Sequence, residues 1–457
     1  MDATARPLSV AVVGSGPSGF YAAGALFERA DLDVRLDMFD RLATPWGLVR
    51  FGVAPDHEKI KSVSSVYSKI GEHQSYRFFG NIEVGRHITG KELAERYDVV
   101  IYAVGTEGDR KLGIPGEDLA GSIAAVQFVG WYNGHPDYAD LNFDLSSERA
   151  VVVGNGNVAL DVARILCSPY EQLAKTDIAD HALEALRHSR ITEVLVVGRR
   201  GPAQAAFTTP ELKELPKFTD SGVDVAPEQV AEEPGEDTLP RAVKRNLGVL
   251  RDYASGETEL GERHISLRFQ RSPVELRGNG KVEQIVLGHN ELRTGEDGRV
   301  SAHDTGERET VQTGLVLRAV GYQGVPIEGL PFDPRRGIIP NTRGRVDGAE
   351  RTYVVGWIKR GPTGVIGTNK KDSVETVNQL VEDLESGTLR RHERDGTLDV
   401  ESWLAGRQPH LVTAEAWQRI DDAERTAGEP HGRPRVKICD LEDLLDVALN
   451  RSTSAKA

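Results

Sequence analysis

The chain has 457 residues, of which 39% are hydrophobic and 28% are charged, so it is long enough for two or three domains of ordinary globular composition. Its formal net charge of −14 argues against a general nucleic-acid binder, because such a protein neutralises phosphates with a basic surface. Its two cysteines, Cys167 and Cys439, form no CxxC pair, so we expect no metal centre and no dithiol relay, and any redox chemistry needs an organic cofactor.

The first predicted strand is an apolar run, 8–13, which is broken at once by Gly-Ser-Gly-Pro-Ser-Gly. This run is too short for the core of a signal peptide, and no other run approaches the length of a membrane helix. We therefore expect a cytoplasmic protein that has no membrane partner.

The glycines after this strand have the spacing Gly14-x-Gly16-x-x-Gly19 and lead into a helix-like apolar pattern. This spacing allows a sharp turn, close approach of the backbone to a pyrophosphate, and tight packing of the helix on the strand. A second predicted strand, 34–40, ends in Asp40, where the ribose of a dinucleotide needs an acceptor. A glycine-rich connector with an unrelated acid is the alternative. The predicted contacts to this first dinucleotide are Gly14, Ser15, Gly16, Pro17, Ser18, Gly19 and Asp40.

A loop of unusual composition, 44–61, follows this strand and reads TPWGLVRFGVAPDHEKIK. It combines glycine and proline with an indole, a lone histidine and several cations. Its glycines permit close backbone approach to a ligand. The cations Arg50, Lys59 and Lys61 fit either partner docking or simple solvation.

A second strand–glycine–helix pattern begins at 151, with Gly154 and Gly156 followed by Ala159 in the place of the third glycine. The dinucleotide fingerprint permits this alanine. The next predicted strand, 193–197, ends in Gly-Arg-Arg-Gly instead of an acid. An acid would repel a 2′-phosphate, whereas paired guanidiniums offer forked donors to it. The second site is therefore interpreted as an NADP(H) site, with a solvated turn as the alternative.

Two further segments, 95–117 and 314–324, each contain a buried strand that ends in glycine, and they mark where the chain leaves and re-enters the first domain. Two dinucleotide modules in series are typical of flavoprotein reductases, with FAD in the first and the nicotinamide nucleotide in the second. We expect an α/β fold of two Rossmann-like domains, the NADP domain being inserted into a discontinuous FAD domain. The expected domains are 1–108 (FAD, first part), 109–319 (NADP) and 320–457 (FAD, second part, with a C-terminal extension).

The strand at 353–355 runs into Gly356 and Trp357, and a glycine-lined turn, 361–367, then precedes a long amphipathic pattern. A turn at a helix N-terminus presents free N–H groups and the positive end of the helix dipole. This is a suitable place to hold the negative charge of a reduced flavin ring. Trp357 fits either stacking on that ring or ordinary core packing.

Together, the segments GSGPSG, TPWGLVRFGVAPDH, GNGNVALDVAR, GRRG, FTTPELKEL and GWIKRGPTGVIGTNKKD resemble the adrenodoxin-reductase family, most closely its actinobacterial ferredoxin–NADP reductases. The resemblance implies FAD and NADP(H) as cofactors, hydride transfer from NADPH to the flavin, and delivery of single electrons to ferredoxin or a similar iron–sulfur protein. It also implies a monomer. The region after 385, with Trp403 and Trp417, is expected to pack around the FAD domain.

The resemblance also implies roles for individual residues. Flavin contacts are expected at Leu48, Trp357, Gly364, Val365 and Ile366. Because the loop after Asp40 would run from the adenosine end of FAD towards the flavin ring, Trp46 is also expected to line the flavin. NADP contacts are expected at Asn155, Gly156, Asn157, Val158, Arg199, Arg200 and Glu211, with Gly367 near the nicotinamide. Further cofactor contacts are expected at Gly47, Gly105, Arg110 and Gly356. One departure is Asp40, because glutamate, which reaches further, is commoner there among such flavoproteins.

Two candidate proton-handling residues are His57 and Glu214. Thr209 is expected to cap a helix that places Glu211 and Glu214 on one side of its first turn. Acids at that position are favoured by the helix dipole alone. A histidine pKa can fall near neutrality, so we predict that His57 pairs with Glu214 beside the flavin and buffers a proton.

A cluster of cations occupies the segment 240–254 of this acidic protein. Ferredoxins are usually acidic, so a basic face would steer docking, although a solvated helix face is equally consistent with the spacing. The cations concerned are Arg241, Lys244, Arg245 and Arg251.

The main alternative function is an NADPH-dependent flavin monooxygenase. Baeyer–Villiger enzymes carry FxGxxxH between their nucleotide motifs, and this chain has Phe128-Val-Gly130-Trp-Tyr-Asn-Gly-His135, which is one residue longer. A thioredoxin-type reductase is excluded by the missing CxxC. A flavoprotein that senses nucleotides without passing electrons onward is the non-enzymatic alternative.

Overall fold

Strands and helices alternate along most of the chain in this computed structural model, which describes residues 6–217, 222–232, 235–256, 261–364, 366–393 and 399–451. The strands are β1 (Leu8–Val13), β2 (Val34–Phe39), β3 (Tyr76–Phe79), β4 (Val99–Tyr102), β5 (Gly108–Asp109), β6 (Ser122–Ala124), β7 (Arg149–Val153), β8 (Glu193–Val197), β9 (Val223–Val225), β10 (His264–Arg268), β11 (Arg271–Arg277), β12 (Gln284–Thr294), β13 (Val300–Gln312), β14 (Leu315–Arg318), β15 (Tyr322–Gln323), β16 (Asn341–Thr342), β17 (Arg345–Val346) and β18 (Thr352–Val354).

The helices are α1 (Pro17–Phe27), α2 (Leu48–Phe51), α3 (Glu58–Lys61), α4 (Ser64–Gly71), α5 (Gly90–Arg96), α6 (Ala125–Tyr132), α7 (Asn157–Cys167), α8 (Tyr170–Leu173), α9 (Asp180–Arg187), α10 (Thr209–Glu214), α11 (Arg241–Ala254), α12 (Trp357–Arg360), α13 (Ile366–Glu385), α14 (Val400–Ala405), α15 (Ala414–Gly428) and α16 (Leu441–Ala448). Short 3-10 helices span Pro202–Gln204, Leu215–Lys217, Pro227–Gln229, Glu236–Thr238 and Glu429–His431. Within the described ranges, no helix is both long and apolar enough to cross a membrane.

A seven-stranded sheet in the order β16-β17-β18-β4-β1-β2-β3 forms the first unit. The strands from β18 through β4, β1 and β2 to β3 are parallel, and β16 and β17 add an antiparallel edge. β1 is buried along its whole length, and its sequence LSVAVV is almost entirely apolar, as strands covered on both faces are. This sheet is assembled from two separate parts of the chain.

A six-stranded sheet in the order β6-β14-β7-β8-β10-β9 forms the second unit, and all of its neighbouring strands are parallel. Its strands come from one continuous part of the chain, 122–318, which separates the two parts of the first sheet. A smaller antiparallel sheet of β11, β12 and β13 follows β10. The structure confirms the expected α/β fold, in which the second Rossmann-like unit is inserted into the first.

The two connections between the units lie side by side. β5, after the first unit, pairs antiparallel with β15, before the chain returns to it. Backbone hydrogen bonds thereby join the two ends of the second unit. We propose that the domain boundaries lie beside this ribbon, near residues 108 and 319.

The C-terminal extension, residues 399–451, packs on the first unit. Val412 pairs antiparallel with Gly80, and Trp417 belongs to the same hydrophobic core as β1. The extension also reaches the second unit, since the Arg433 guanidinium donates to the carbonyls of Thr176 and Ile178. The sequence predicted only the first of these two contacts.

Candidate functional site

The first glycine turn joins β1 to α1 and has the shape that a pyrophosphate needs. A Cβ on Gly14 would lie 2.5 Å from Ala103 O, and a Cβ on Gly19 would lie 2.2 Å from Gly14 O. Around Gly16, by contrast, the nearest atom to an added Cβ is 3.9 Å away. Pro17 begins α1, and the helix N-terminus has no side-chain cap. The turn therefore packs through its outer glycines and leaves its middle glycine and the helix N–H groups open to a phosphate.

Asp40 lies beside this turn, immediately after β2. Its Oδ2 accepts a hydrogen bond from Ser15 N at 2.8 Å and another from the Ser15 hydroxyl, and its Oδ1 accepts one from Leu42 N at 2.9 Å. A carboxylate has about four acceptor positions, so these bonds fix Asp40 and still leave room for a ribose hydroxyl.

The loop after Asp40 runs directly against the glycine turn. Trp46 N donates to Ser15 O at 2.9 Å, and a Cβ on Gly47 would lie 2.9 Å from Gly16 Cα. Leu48, the next residue, is 37% exposed, so its side chain is accessible to a bound group. The Trp46 ring, which we expected to line the flavin, is instead buried against the C-terminal extension. Its backbone is the part that we now propose for cofactor contact.

His57 lies among acids from the second unit. Its Nε2 is 2.9 Å from Glu214 Oε2, and its Nδ1 is 3.9 Å from Asp161 Oδ1. The shorter contact is close enough for an ion pair, although its angle leaves Nε2 without a hydrogen bond to a described residue. The structure thus brings together the two side chains that were expected to pair, while their chemical role stays a prediction.

Glu211 lies on the first turn of α10. Its Oε2 is buried and has no hydrogen-bond partner among the described residues, and burial raises the pKa of this carboxyl. Such an oxygen suits a donor supplied by a ligand. The predicted cap at Thr209 is wrong by one residue. Thr208 occupies the N-cap position, and the Thr209 hydroxyl donates to Asn246 Oδ1 at 2.6 Å.

The second glycine turn repeats the geometry of the first between β7 and α7. A Cβ on Gly154 would lie 2.3 Å from Ala319 O, whereas no atom lies within 4 Å of a Cβ on Gly156. Ala159, which replaces the third glycine, is fully buried. Of the predicted NADP contacts, Asn157 and Val158 begin α7, and Asn155 directly precedes its N-cap residue.

Arg199 and Arg200 follow the end of β8, where a dinucleotide ribose would lie. Their carbonyls are fixed by Asn290 Nδ2 at 2.9 Å and Gln270 N at 3.0 Å, respectively. Arg199 is exposed and Arg200 is half-buried, and neither guanidinium forms an ion pair within the part of the chain that the structure describes. Both remain available to a phosphate. Arg110 is also exposed, in the connection between the units.

Gly356 brings the later part of the chain against the first glycine turn. Its φ is +77°, and an added Cβ would lie 2.2 Å from Ser18 Oγ, so a side chain is not tolerated there. The next residue, Trp357, lies with its ring 5.5 Å from that of Tyr322. Its buried Nε1 has no hydrogen-bond partner in the described residues, which leaves a donor for a bound group.

The first turn of α13 has open space at one glycine. Gly364 has φ +82°, Ile366 begins the helix, and no atom lies within 4 Å of a Cβ on Gly367. The predicted contact at Val365 lies outside the described residues. Gly105, after β4, likewise has a positive φ of +71° and open space where a Cβ would point.

Comparisons with known proteins agree with this fold. Residues 8–237 match the family model for pyridine nucleotide-disulphide oxidoreductases. The NADPH-ferredoxin reductase FprA of Mycobacterium tuberculosis is 56% identical over 97% of this chain and 100% of the relative. The mitochondrial NADPH:adrenodoxin oxidoreductase of Salvelinus fontinalis is 43% identical over 97% of this chain and 92% of the relative. The solved structure of Mycobacterium tuberculosis FprA in complex with NADPH matches with a TM-score of 0.94 at 55% identity, over 97% of this chain and 100% of that one.

The chain belongs to the adrenodoxin-reductase family. The resemblance found in its motifs is confirmed, and so is its assignment to the oxidoreductases.

One buried cluster of charges in this adrenodoxin-reductase family member was not predicted from its sequence. Arg164, whose side chain is fully buried, donates to both oxygens of Asp56 and to Asp161 Oδ1 at 2.8 Å. It therefore joins the residue that precedes His57 to the helix of the second glycine turn. Burial alone would raise the pKa of Asp56, but Arg164 outweighs it and the pKa is lowered. Burial dominates at Asp161, whose pKa is raised.

The histidine of the monooxygenase-like segment has a packing role in this adrenodoxin-reductase fold. The His135 ring lies 4.8 Å from that of Phe51 and 4.9 Å from that of Tyr138. Its Nδ1 accepts a hydrogen bond from Asp137 N at 3.1 Å, and burial lowers the pKa of His135 to about 4. The near match to FxGxxxH is therefore explained by packing.

Replacing His135 by Asn should make the stability of the protein less dependent on acid pH. The unfolded histidine takes up a proton below about pH 6.5, whereas the native one stays neutral down to about pH 4. The wild type therefore loses stability as the pH falls through this window, by about 3 kcal/mol at most. Urea unfolding at pH 7, 5.5 and 4.5 measures the difference. Equal slopes for wild type and H135N, with the exposed His188→Asn as control, would contradict the assignment.

Proposed function

We propose that this chain is an FAD-containing ferredoxin–NADP⁺ reductase, which takes a hydride from NADPH onto FAD and passes single electrons to ferredoxin or a similar small iron–sulfur protein. The observation that carries this is the pair of glycine turns whose outer residues are packed, while an added Cβ would meet no atom closer than 3.9 Å at Gly16 and none within 4 Å at Gly156. Two such turns suit two dinucleotides in one chain. The 56% identity with an NADPH-ferredoxin reductase over nearly the whole chain supports the choice of donor and acceptor.

The residues of the chain bind and orient both cofactors. When bound, FAD supplies the link between a two-electron donor and one-electron acceptors. The first glycine turn and Asp40 suit its pyrophosphate and ribose, and the partial positive charge at the N-terminus of α13 suits a negatively charged ring. The second turn suits the pyrophosphate of NADPH, and Arg199 and Arg200 suit its 2′-phosphate.

The test of this function is NADPH-driven reduction of cytochrome c by the holoenzyme, with and without an added ferredoxin. We expect stoichiometric FAD and a rate that depends strongly on ferredoxin. Oxygenation of an organic substrate without that dependence would overturn the proposal in favour of a monooxygenase. We further propose a monomer in the cytoplasm, which sedimentation and cell fractionation would check.

We also propose that His57 and Glu214 handle the proton that accompanies flavin reduction. Hydride transfer needs no side-chain acid, so His57→Gln should slow NADPH-driven flavin reduction by about tenfold, less than the loss of an obligatory general acid. It should also change the pH profile, because an imidazole can take up and release a proton whereas the amide of glutamine cannot. Stopped-flow absorbance from pH 6 to 9 measures both effects, with the exposed neighbour Glu58→Gln as control. Unchanged kinetics across this range would remove the proposal.

For the acceptor, we propose a docking face around α11. Arg241, Lys244 and Arg245 are exposed on this helix, and Arg245 lines an open groove of about 460 Å³ together with Lys213. Arg251, the fourth cation of the predicted set, donates two hydrogen bonds to a glutamate of a preceding 3-10 helix and one to a backbone carbonyl. Because the charge of Arg251 is already paired, we propose only Arg241, Lys244 and Arg245 for docking.

Replacing Arg241 and Arg245 together by alanine should raise the KM for ferredoxin by about tenfold at low salt, because exposed charges mainly steer association. Reduction of a small dye by NADPH should stay unchanged. Steady-state assays at 20 and 300 mM salt measure the effect, which should shrink at the higher concentration. The control replaces Arg187 and Arg190, exposed cations at and after α9. An equal effect in the control would contradict a specific docking face.

A further inference from the structure

The C-terminal extension takes no part in the chemistry proposed above, yet it carries several buried charged side chains. Glu424 is fully buried, and Arg435 and Lys437 are 9% and 5% exposed. Buried charges of this kind have to be paired, and their partners lie partly in the loop that runs against the first glycine turn.

That loop contains a strained turn. Trp46 has φ +85°, a backbone conformation that bulky residues rarely adopt, and Gly47 follows with φ +50°. The turn is bonded to the glycine turn through Trp46 N and Ser15 O at 2.9 Å, and Gly47 packs on Gly16. Strain of this kind persists only where the surroundings hold the residue in place.

The side chain of Trp46 is held from the C-terminal extension. Its ring meets that of Trp417 edge to face, with centroids 5.1 Å apart and planes at 84°. The guanidinium of Arg435 lies over the same ring at 5.5 Å. Both contacts are of favourable geometry, and only 6% of Trp46 is exposed.

Buried ion pairs hold Arg435 in this position and connect it to Arg50. Arg435 Nη1 lies 2.7 Å from Asp421 Oδ1 and 3.0 Å from Glu424 Oε2. Glu424 also accepts both Nη atoms of Arg50, one of them at 2.8 Å. Arg50 belongs to the loop itself, and its guanidinium lies 5.5 Å from the Trp417 ring. The extension therefore contacts the loop at Trp46, within the strained turn, and again at Arg50, which follows the turn.

We propose that the C-terminal extension is a clamp for the FAD-binding loop, in which Trp417 and Arg435 are positioning residues. They hold Trp46 and Gly47 in the strained conformation that seats the loop on the first glycine turn, with Gly47 against Gly16. The inference rests on the proposed function, because FAD is the group whose retention the clamp serves.

If the extension clamps this loop, loss of a clamp residue should increase the rate at which the holoenzyme releases FAD. Trp417→Ala should release FAD about tenfold faster than the wild type, measured as recovery of FAD fluorescence after dilution. Trp417→Phe keeps an aromatic edge and should stay within about twofold of the wild type. Trp403→Ala is the matched control, since Trp403 also lies in the extension but packs under Arg96.

A double variant separates clamping from general stability. Glycine adopts a positive φ without strain, so in a Trp46→Gly background the Trp417→Ala change should alter FAD release less than about twofold. The proposal is overturned if W417A releases FAD no faster than W403A, or if its effect persists in the W46G background. If W417A does not fold, Arg435→Met is compared with W403A in the same way. A wild type that holds no FAD would overturn the proposed function itself.

Discussion

Replacing Arg199 and Arg200 together by alanine should raise the KM for NADPH by at least about 100-fold. Each charge-assisted hydrogen bond to a 2′-phosphate contributes about 1.5–3 kcal/mol, and about 1.4 kcal/mol corresponds to a factor of ten. Both guanidiniums follow β8 and lack ion pairs in the described part of the chain, so their charge is available to a bound phosphate. Steady-state kinetics with NADPH and NADH measure the change.

The same variant should bind NADH nearly as the wild type does, because NADH has no 2′-phosphate. The rate of flavin reduction at saturating NADPH should also change little, since the arginines contact no reacting atoms. The exposed Arg190→Ala, which follows α9, is the matched control. An equal loss with NADPH and NADH would show that the pair supports the fold or the pyrophosphate, which would contradict its assignment to the 2′-phosphate.

The glycine turns could be predicted because their requirements are local. A strand, three small residues at fixed spacing and a helix are all contained in a short window, and the backbone alone creates the open position at Gly16 and Gly156. The acid and the guanidiniums that we propose for the two riboses follow at the ends of the next strands. Asp40, Arg199 and Arg200 therefore lie where the sequence predicted.

The remaining features depend on contacts between distant parts of the chain. Arg50 and Glu424 are 374 positions apart, and neither shows in sequence that it is buried with the other. The ring of Trp46 was assigned to the flavin because its loop follows Asp40 and would run along the cofactor, whereas Trp417 packs on this ring in the fold. Arg164 is the last residue of the segment GNGNVALDVAR. Its spacing from Asp161 is ordinary for an ion pair on a helix surface and gives no sign that the arginine is buried.

Replacing Arg164 by methionine should lower the free energy of unfolding by about 3–5 kcal/mol, because the change leaves carboxylates buried without their counter-charge. The guanidinium is fully buried and bridges Asp56 and Asp161, whose side chains are 4% and 15% exposed. Urea unfolding followed by tryptophan fluorescence measures the loss. Flavin reduction should slow as well, because Asp56 directly precedes His57.

The pH dependence of this loss distinguishes charge from packing. In the wild type, burial raises the pKa of Asp56 but Arg164 outweighs it, so the lowered pKa stabilises the fold above the pKa of the unfolded chain. Without Arg164, burial raises that pKa, and the variant should lose most stability at pH 8 and least at pH 4. Adding Asp56→Asn to R164M should restore part of the stability, because it removes one unpaired buried charge. Equal losses at both pH values and no rescue would mean that Arg164 acts through its volume alone.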